Sequence, residues 1–123
     1  MANIFGIGVD IIDIYRFEKV NLQRFAKRIL TQKELVDFEN AKNKKNFIAK
    51  KFSVKEAVAK AFGVGIGKNL SFYDIEISKD EAGKPVCFVK NSPLNLSEST
   101  IKVHISISDA KNLISTYCIV EVL

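Results

Sequence analysis

Residues Ile4 to Ile12 alternate strictly. Phe5, Ile7, Val9 and Ile11 fall on one face of an extended chain, and Gly6, Gly8 and Asp10 on the other. A side-chain period of two excludes a helix here, and the second face offers a carboxylate beside two positions with no side chain. The same period returns near the other end of the chain. Ile101, Val103, Ile105 and Ile107 point inward there, and Lys102, His104, Ser106 and Ser108 point outward. "DAKN" then turns the chain into a last strand, Leu113 to Leu123. Strands at both ends therefore frame whatever the middle of the chain forms.

The middle reads as helix. Asn21 to Arg28 is a short one, and the three- and four-residue spacing puts Arg24, Lys27 and Arg28 on one side. "TQKE", Thr31 to Glu34, is a capping-box signature for a helix through about Glu39. A long helix runs from Lys44 to Phe62, with Phe47, Val54, Val58 and Ala61 as its core stripe. Glu56 points almost opposite that stripe, yet Phe52 and Ala59 flank it and Lys60 follows four residues on. An apolar surround for a charge implies that a subunit or a ligand covers this face. Gly63 is the carboxyl-terminal cap. Phe72 to Ser78 pairs through "KDEAGKP" with Val86 to Lys90, and Ser92 to Ser99 is a loop or short helix. One strand, a helical block and two hairpins give an α+β class with an antiparallel sheet.

The 123 residues suit a single domain spanning 1–123, large enough for its own core. A hydrophobic content of 47% with six Gly and two Pro is that of a globular chain. No apolar run approaches the ~20 residues that cross a bilayer, and "MANIFGIGVD" lacks the basic start of a signal peptide. Cys87 and Cys118 sit singly in apolar stretches, as buried thiols of a cytoplasmic protein do. One histidine and no cysteine pair argue against structural zinc. The net charge of +5 favours an acidic partner: nucleic acid, polyphosphate or an acidic protein.

Familiar nucleotide motifs fail. "GIGVDI" carries Ile11 where the dinucleotide fingerprint needs its third glycine, and "GVGIGKN" leaves a helix instead of entering one. Asp10 and Glu56 stand out instead. Two carboxylates with open positions suit Mg²⁺, which keeps waters and takes phosphates as further ligands, and nearby lysines would neutralise those phosphates. The alternative is structural: Asp10 caps the following turn and Glu56 pairs with Lys60. Two other functional classes are a different Mg²⁺-dependent phosphoryl-transfer enzyme and a basic module binding nucleic acid through "KNKKNFIAKK". Aromatics do not interleave with that lysine cluster as a stacking platform requires.

Four stretches in order, "GIGVDIIDIYRF", "RFAKRILTQKE", "KFSVKEAVAKAFGVGIG" and "HISISD", resemble holo-[acyl-carrier-protein] synthase, the short bacterial type of 4'-phosphopantetheinyl transferase. The resemblance covers almost the whole chain. It implies the phosphopantetheinyl-transferase fold as a single module, a small antiparallel sheet packed on a long helix. It also implies a reaction that supports fatty acid biosynthesis: transfer of the 4'-phosphopantetheine arm of coenzyme A to a serine of apo acyl carrier protein, with release of adenosine 3',5'-bisphosphate.

The family's residues carry over position by position. Asp10 and Glu56 correspond to the Mg²⁺ ligands, and Lys60 to the lysine on the coenzyme A phosphates. Gly63, Gly65 and His104, with Ser106 beside it, border the coenzyme. Arg16, Arg24 and Arg28 fall on the face that meets the carrier protein. The resemblance further implies a cytoplasmic homotrimer with coenzyme A in clefts between subunits, and no nucleic-acid or membrane partner. Two positions depart from the family pattern. Lys51 stands where relatives often carry a phosphate-binding Arg, so a fork becomes a point charge. Asp109 stands where many carry His, and it has no catalytic role.

Overall fold

The computed structural model describes residues 3–123. Strand β1 spans Asn3–Asp13 and leads through a 3-10 turn, Ile14–Phe17, into three helices: α1 (Leu22–Ile29), α2 (Gln32–Glu39) and α3 (Lys44–Ala61). A second 3-10 turn, Phe72–Asp74, precedes the hairpin of β2 (Ile75–Lys79) and β3 (Pro85–Val89). A third, Glu98–Thr100, precedes the hairpin of β4 (Ile101–Ala110) and β5 (Leu113–Val122). The class is α+β with antiparallel pairing throughout, as the alternation predicts. Phe72 to Asp74 is the exception. These residues form a turn that the Asp74 carboxylate caps by accepting from Ser71 N at 2.9 Å, so the strand begins only at Ile75.

Polar caps set the helix ends. Asn21 Oδ1 accepts from Arg24 N at 3.0 Å, and Asn43 Oδ1 from Asn46 N at 2.9 Å. The capping box of α2 closes both ways: Thr31 Oγ1 accepts from Glu34 N, and Glu34 Oε1 accepts from Thr31 N. Helix α3 stops at Gly63, whose φ of 79° is left-handed, while Gly63 N and Val64 N donate back to Lys60 O and Ala59 O.

The three-stranded sheet has the order β1-β5-β4, which makes the two ends of the described chain neighbours. Helix α3 lies against its inner face. A Cβ built on Gly8 would stand 2.0 Å from Ala57 O, and one on Gly6 2.1 Å from Ala61 O. The side-chain-free face of β1 is thus the buried one, because helix backbone fills the space that side chains would take. The apolar face of β1 turns outward, with Ile7 71% and Ile11 66% exposed. Phe5 does not belong to that face. The register shifts between Ile4 and Gly6, so Ile4 stands opposite Glu121 and the Phe5 ring packs 6.5 Å from that of Phe62.

Helix α3 separates two cores. One contains Val54, Val58, Leu70, Ile75, Ile77 and Val120, with the inward isoleucines of β4 packed on it. The other gathers Ile12, Phe17, Ile29, Leu30, Phe38, Ile48 and Ile114. Each fully buried Ile, Leu or Phe is worth about 1.5–3 kcal/mol, so burial on two sides holds α3 in place. The chain itself covers the apolar flanks of Glu56. Ala59 is buried, and Phe52 enters an aromatic group with Phe17, Phe25 and Phe72 at centroid distances of 5.4–6.1 Å. Both cysteines are free and buried, and burial pushes the Cys118 thiol up to about 12.

Candidate active site

Close approach of α3 to β1 brings Asp10, Glu56 and Lys60 together. Asp10 stands on the inner face, two residues past the Gly8 contact, opposite Thr116 of β5. Its Oδ2 accepts from Ser53 Oγ at 2.7 Å and its Oδ1 from Lys60 Nζ at 3.2 Å. The same ammonium donates to Val9 O at 3.0 Å. The structural alternative therefore does not hold as stated. Asp13 caps the turn after β1, accepting from Tyr15 N at 2.9 Å, and Lys60 pairs with Asp10 and not with Glu56.

Glu56 has no ion pair among the described residues. Partial burial, and next to it the charge of Asp10, hold its carboxyl above the usual carboxylate range, while Lys60 and Arg16 pull the other way. A carboxylate raised by burial and by a neighbouring carboxylate is short of positive charge, which is what a hard divalent cation supplies. Among the described residues no three His, Cys, Asp or Glu side chains converge. A cation on Asp10 and Glu56 would thus take most of its ligands from water and substrate oxygens, and the donor set fits that arrangement.

The other expected residues divide into three places. Gly63 and Gly65 continue from α3, and a Cβ at either would meet nothing within 4 Å, which leaves room for a ligand. Lys51 looks elsewhere: its ammonium lies 4.9 Å over the Phe47 ring, and burial lowers its pKa. With Lys42, Lys50, Lys79 and Asp109 it lines a cavity of about 410 Å³, in which Lys50 and Asp109 pair at 3.0 Å. His104 and Ser106 stand on the outer face of the sheet, away from Asp10, and His104 Nε2 lies 3.0 Å from Glu121 Oε1. Within one chain they do not join the carboxylates. Arg16 stacks over Phe52 at 5.3 Å, and Arg24, Lys27 and Arg28 are exposed along α1.

Sequence reasoning missed Ser53 and Thr116, the fully buried hydroxyls behind Asp10. A signal was present. Thr116 is the one polar side chain in the inward row Ile114, Cys118, Val120 of β5, and it stands opposite Asp10. Also missed was a buried ion pair, Lys55 with Glu34 at 2.7 Å, one residue before Glu56.

Known proteins share this fold. The 4'-phosphopantetheinyl transferase superfamily matches residues 6–119. The holo-[acyl-carrier-protein] synthase of Bacillus velezensis is 43% identical over 122 residues, covering 96% of each chain. That of Vibrio campbellii is 42% identical over 114 residues, covering 89% of this chain and 90% of the relative. The crystal structure of a holo-(acyl-carrier-protein) synthase from Bacillus anthracis in complex with CoA (3',5'-ADP) superposes with a TM-score of 0.85 at 38% identity, covering 98% of each chain. The chain belongs to the 4'-phosphopantetheinyl transferase superfamily, and within it to the holo-[acyl-carrier-protein] synthases.

Proposed function

We propose that the chain transfers the 4'-phosphopantetheine arm of coenzyme A to a serine hydroxyl of apo acyl carrier protein, in a Mg²⁺-dependent reaction that releases adenosine 3',5'-bisphosphate. The observation that carries this reading is the grouping of Asp10, Glu56 and Lys60 at one edge of α3. Asp10 and Glu56 hold the cation. When bound, Mg²⁺ offsets the negative charge that builds on the pyrophosphate oxygens. Lys60, half exposed on a long stem, swings from Asp10 to the same phosphates. The serine oxygen attacks the β-phosphorus, the bond from that phosphorus to the bridging oxygen breaks, and the nucleotide leaves with the bridging oxygen. Two groups can take the serine proton, Glu56 and a water at the cation site. Gly63 and Gly65 let the coenzyme pass close to the backbone; Lys51, in the lysine-lined cavity away from the carboxylates, meets coenzyme phosphate other than that on the cation.

The same reading includes a homotrimer. Ile7, Val9 and Ile11 of β1 join Tyr117 and Ile119 of β5 in one exposed apolar face. A patch of this kind on a small protein marks an interface. His104 and Ser106 share that face, so they reach a coenzyme only at a boundary between copies. The exposed arginines Arg16, Arg24 and Arg28 receive the acidic carrier protein. The chain acts in the cytoplasm and supports fatty acid biosynthesis; no described helix is long and apolar enough to cross a membrane. The test is mass spectrometry of an apo carrier protein after incubation with the chain, coenzyme A and Mg²⁺. A gain of about 340 Da, abolished by a chelator, is expected. No gain at any metal concentration would overturn the proposal.

A further inference from the structure

Ser53 sits in the middle of α3, fully buried, on the stripe that continues with Ala57. An alanine would pack there equally well and favour the helix more. A helical serine ordinarily donates back to the carbonyl one turn earlier. This one donates across to β1 instead, to Asp10 Oδ2 at 2.7 Å. Behind it, Thr116 Oγ1 lies 2.9 Å from Ser53 Oγ and 3.0 Å from Ser53 O. An ionised carboxylate only accepts, so the Ser53 proton belongs to Asp10, while Thr116 gives its one proton to the Ser53 carbonyl and holds the Ser53 hydroxyl from behind.

The bond from Ser53 has a consequence for the two carboxylates. Asp10 and Glu56 repel one another, and a free Asp10 side chain would rotate away from its neighbour. The Ser53 hydroxyl ties Oδ2 and leaves Oδ1 facing the opening, where Lys60 now meets it. We propose that Ser53, backed by Thr116, is a positioning residue that fixes the Asp10 carboxylate with Oδ1 presented to the divalent cation. The proposal rests on the reading of Asp10 and Glu56 as a metal site. Hydrogen-bond partners behind a ligand commonly govern metal affinity by 10–100-fold; a single neutral hydroxyl on one of two ligands belongs at about the lower end.

Ser53→Ala is a clean variant, because Thr116 keeps its bond to the backbone carbonyl of residue 53 and no buried donor is orphaned. The experiment titrates Mn²⁺, without coenzyme, into the full chain and follows free Mn²⁺ by electron paramagnetic resonance. Wild type, Ser53→Ala, Thr116→Val, Thr116→Ser and Asp10→Asn are compared. Ser53→Ala is expected to bind about tenfold more weakly while its Tm in a chelator is unchanged or higher. Thr116→Val is expected to lose about twofold, since Ser53 keeps its bond to Asp10 but loses its anchor, and Thr116→Ser to match wild type. Wild-type affinity in Ser53→Ala would overturn the proposal and leave the metal site standing. A wild type with no Mn²⁺ site that Asp10→Asn removes would overturn the metal reading and this proposal with it. Should Ser53→Ala fail to fold, Thr116→Val decides: unchanged affinity there overturns the proposal.

Discussion

Lys55→Met is expected to cost more stability than any surface change in this chain, and the contacts of Lys55 set the size. Its side chain is fully buried, and its three protons go to Ile29 O at 2.6 Å, Glu34 Oε1 at 2.7 Å and Phe72 O at 3.1 Å. Glu34, equally buried, also accepts from Thr31 N at 2.9 Å and Ile77 N at 2.8 Å. The pair therefore joins the end of α1, the start of α2, the middle of α3, the turn at Phe72 and strand β2. Methionine fills the space but leaves a buried carboxylate without its cation, takes the Lys55 donor from Ile29 O, and leaves Phe72 O with only its bond from Ile75 N. Removing one partner of such a pair costs about 3–5 kcal/mol, or on the order of 10–20 °C in Tm for a domain of this size. A Lys55→Met/Glu34→Met double variant should not recover the loss, because four backbone groups depend on the pair. Urea unfolding followed by circular dichroism at fixed protein concentration measures it. A loss below about 1 kcal/mol for Lys55→Met, or full recovery in the double variant, would refute the reasoning.

Gly8→Ala would push a Cβ into α3 backbone at 2.0 Å, so the helix must lift from β1. A loss of at least about 3 kcal/mol, with most transfer activity, should appear in unfolding and mass-shift assays. Glu56→Gln should raise Tm slightly at pH 7 in a chelator while abolishing transfer. The Glu56 pKa is raised in the folded state, chiefly by burial, so folding binds a proton there and wild-type stability falls as pH climbs out of the usual carboxylate range. The advantage of the variant should disappear on acidification to about pH 4. Reversing Arg24 to Glu should raise the KM for carrier protein several-fold and flatten its salt dependence, with the KM for coenzyme A nearly unchanged. Exposed charges of this kind steer encounter and are screened over ~8 Å at physiological salt.

The elements were legible because their signals are local. The period-two runs mark β1 and β4, and "TQKE" closes the box at the start of α2 as written. Asp10 and Glu56 were legible as a pair because neither fits the apolar stripe of its element. What periodicity does not carry is which face of a strand is covered. On β1 the apolar face is outside and the glycine face inside, since Gly6 and Gly8 admit the backbone of α3 where larger residues would not. The same limit hid the bulge at Phe5, because an extra residue leaves the alternation of residue types intact. Ser53, Thr116 and the Lys55–Glu34 pair depend on contacts between residues 21 to 63 positions apart, which no local pattern encodes. Four-residue spacing pairs Lys60 with Glu56 only in the structural alternative, whereas β1 offers Asp10 across the gap.

The proposed transfer depends on Asp10 and Glu56 as one metal-holding pair beside the coenzyme phosphates. Isothermal titration of Mg²⁺ into the chain saturated with coenzyme A tests this most directly, with Asp10→Ala and Glu56→Ala alongside. Both variants should keep the wild-type circular dichroism spectrum and oligomeric state, because neither side chain fills a core. Wild type should show a saturable Mg²⁺ site, and each variant should lose it together with most transfer activity. Unchanged Mg²⁺ affinity in either variant would contradict the account.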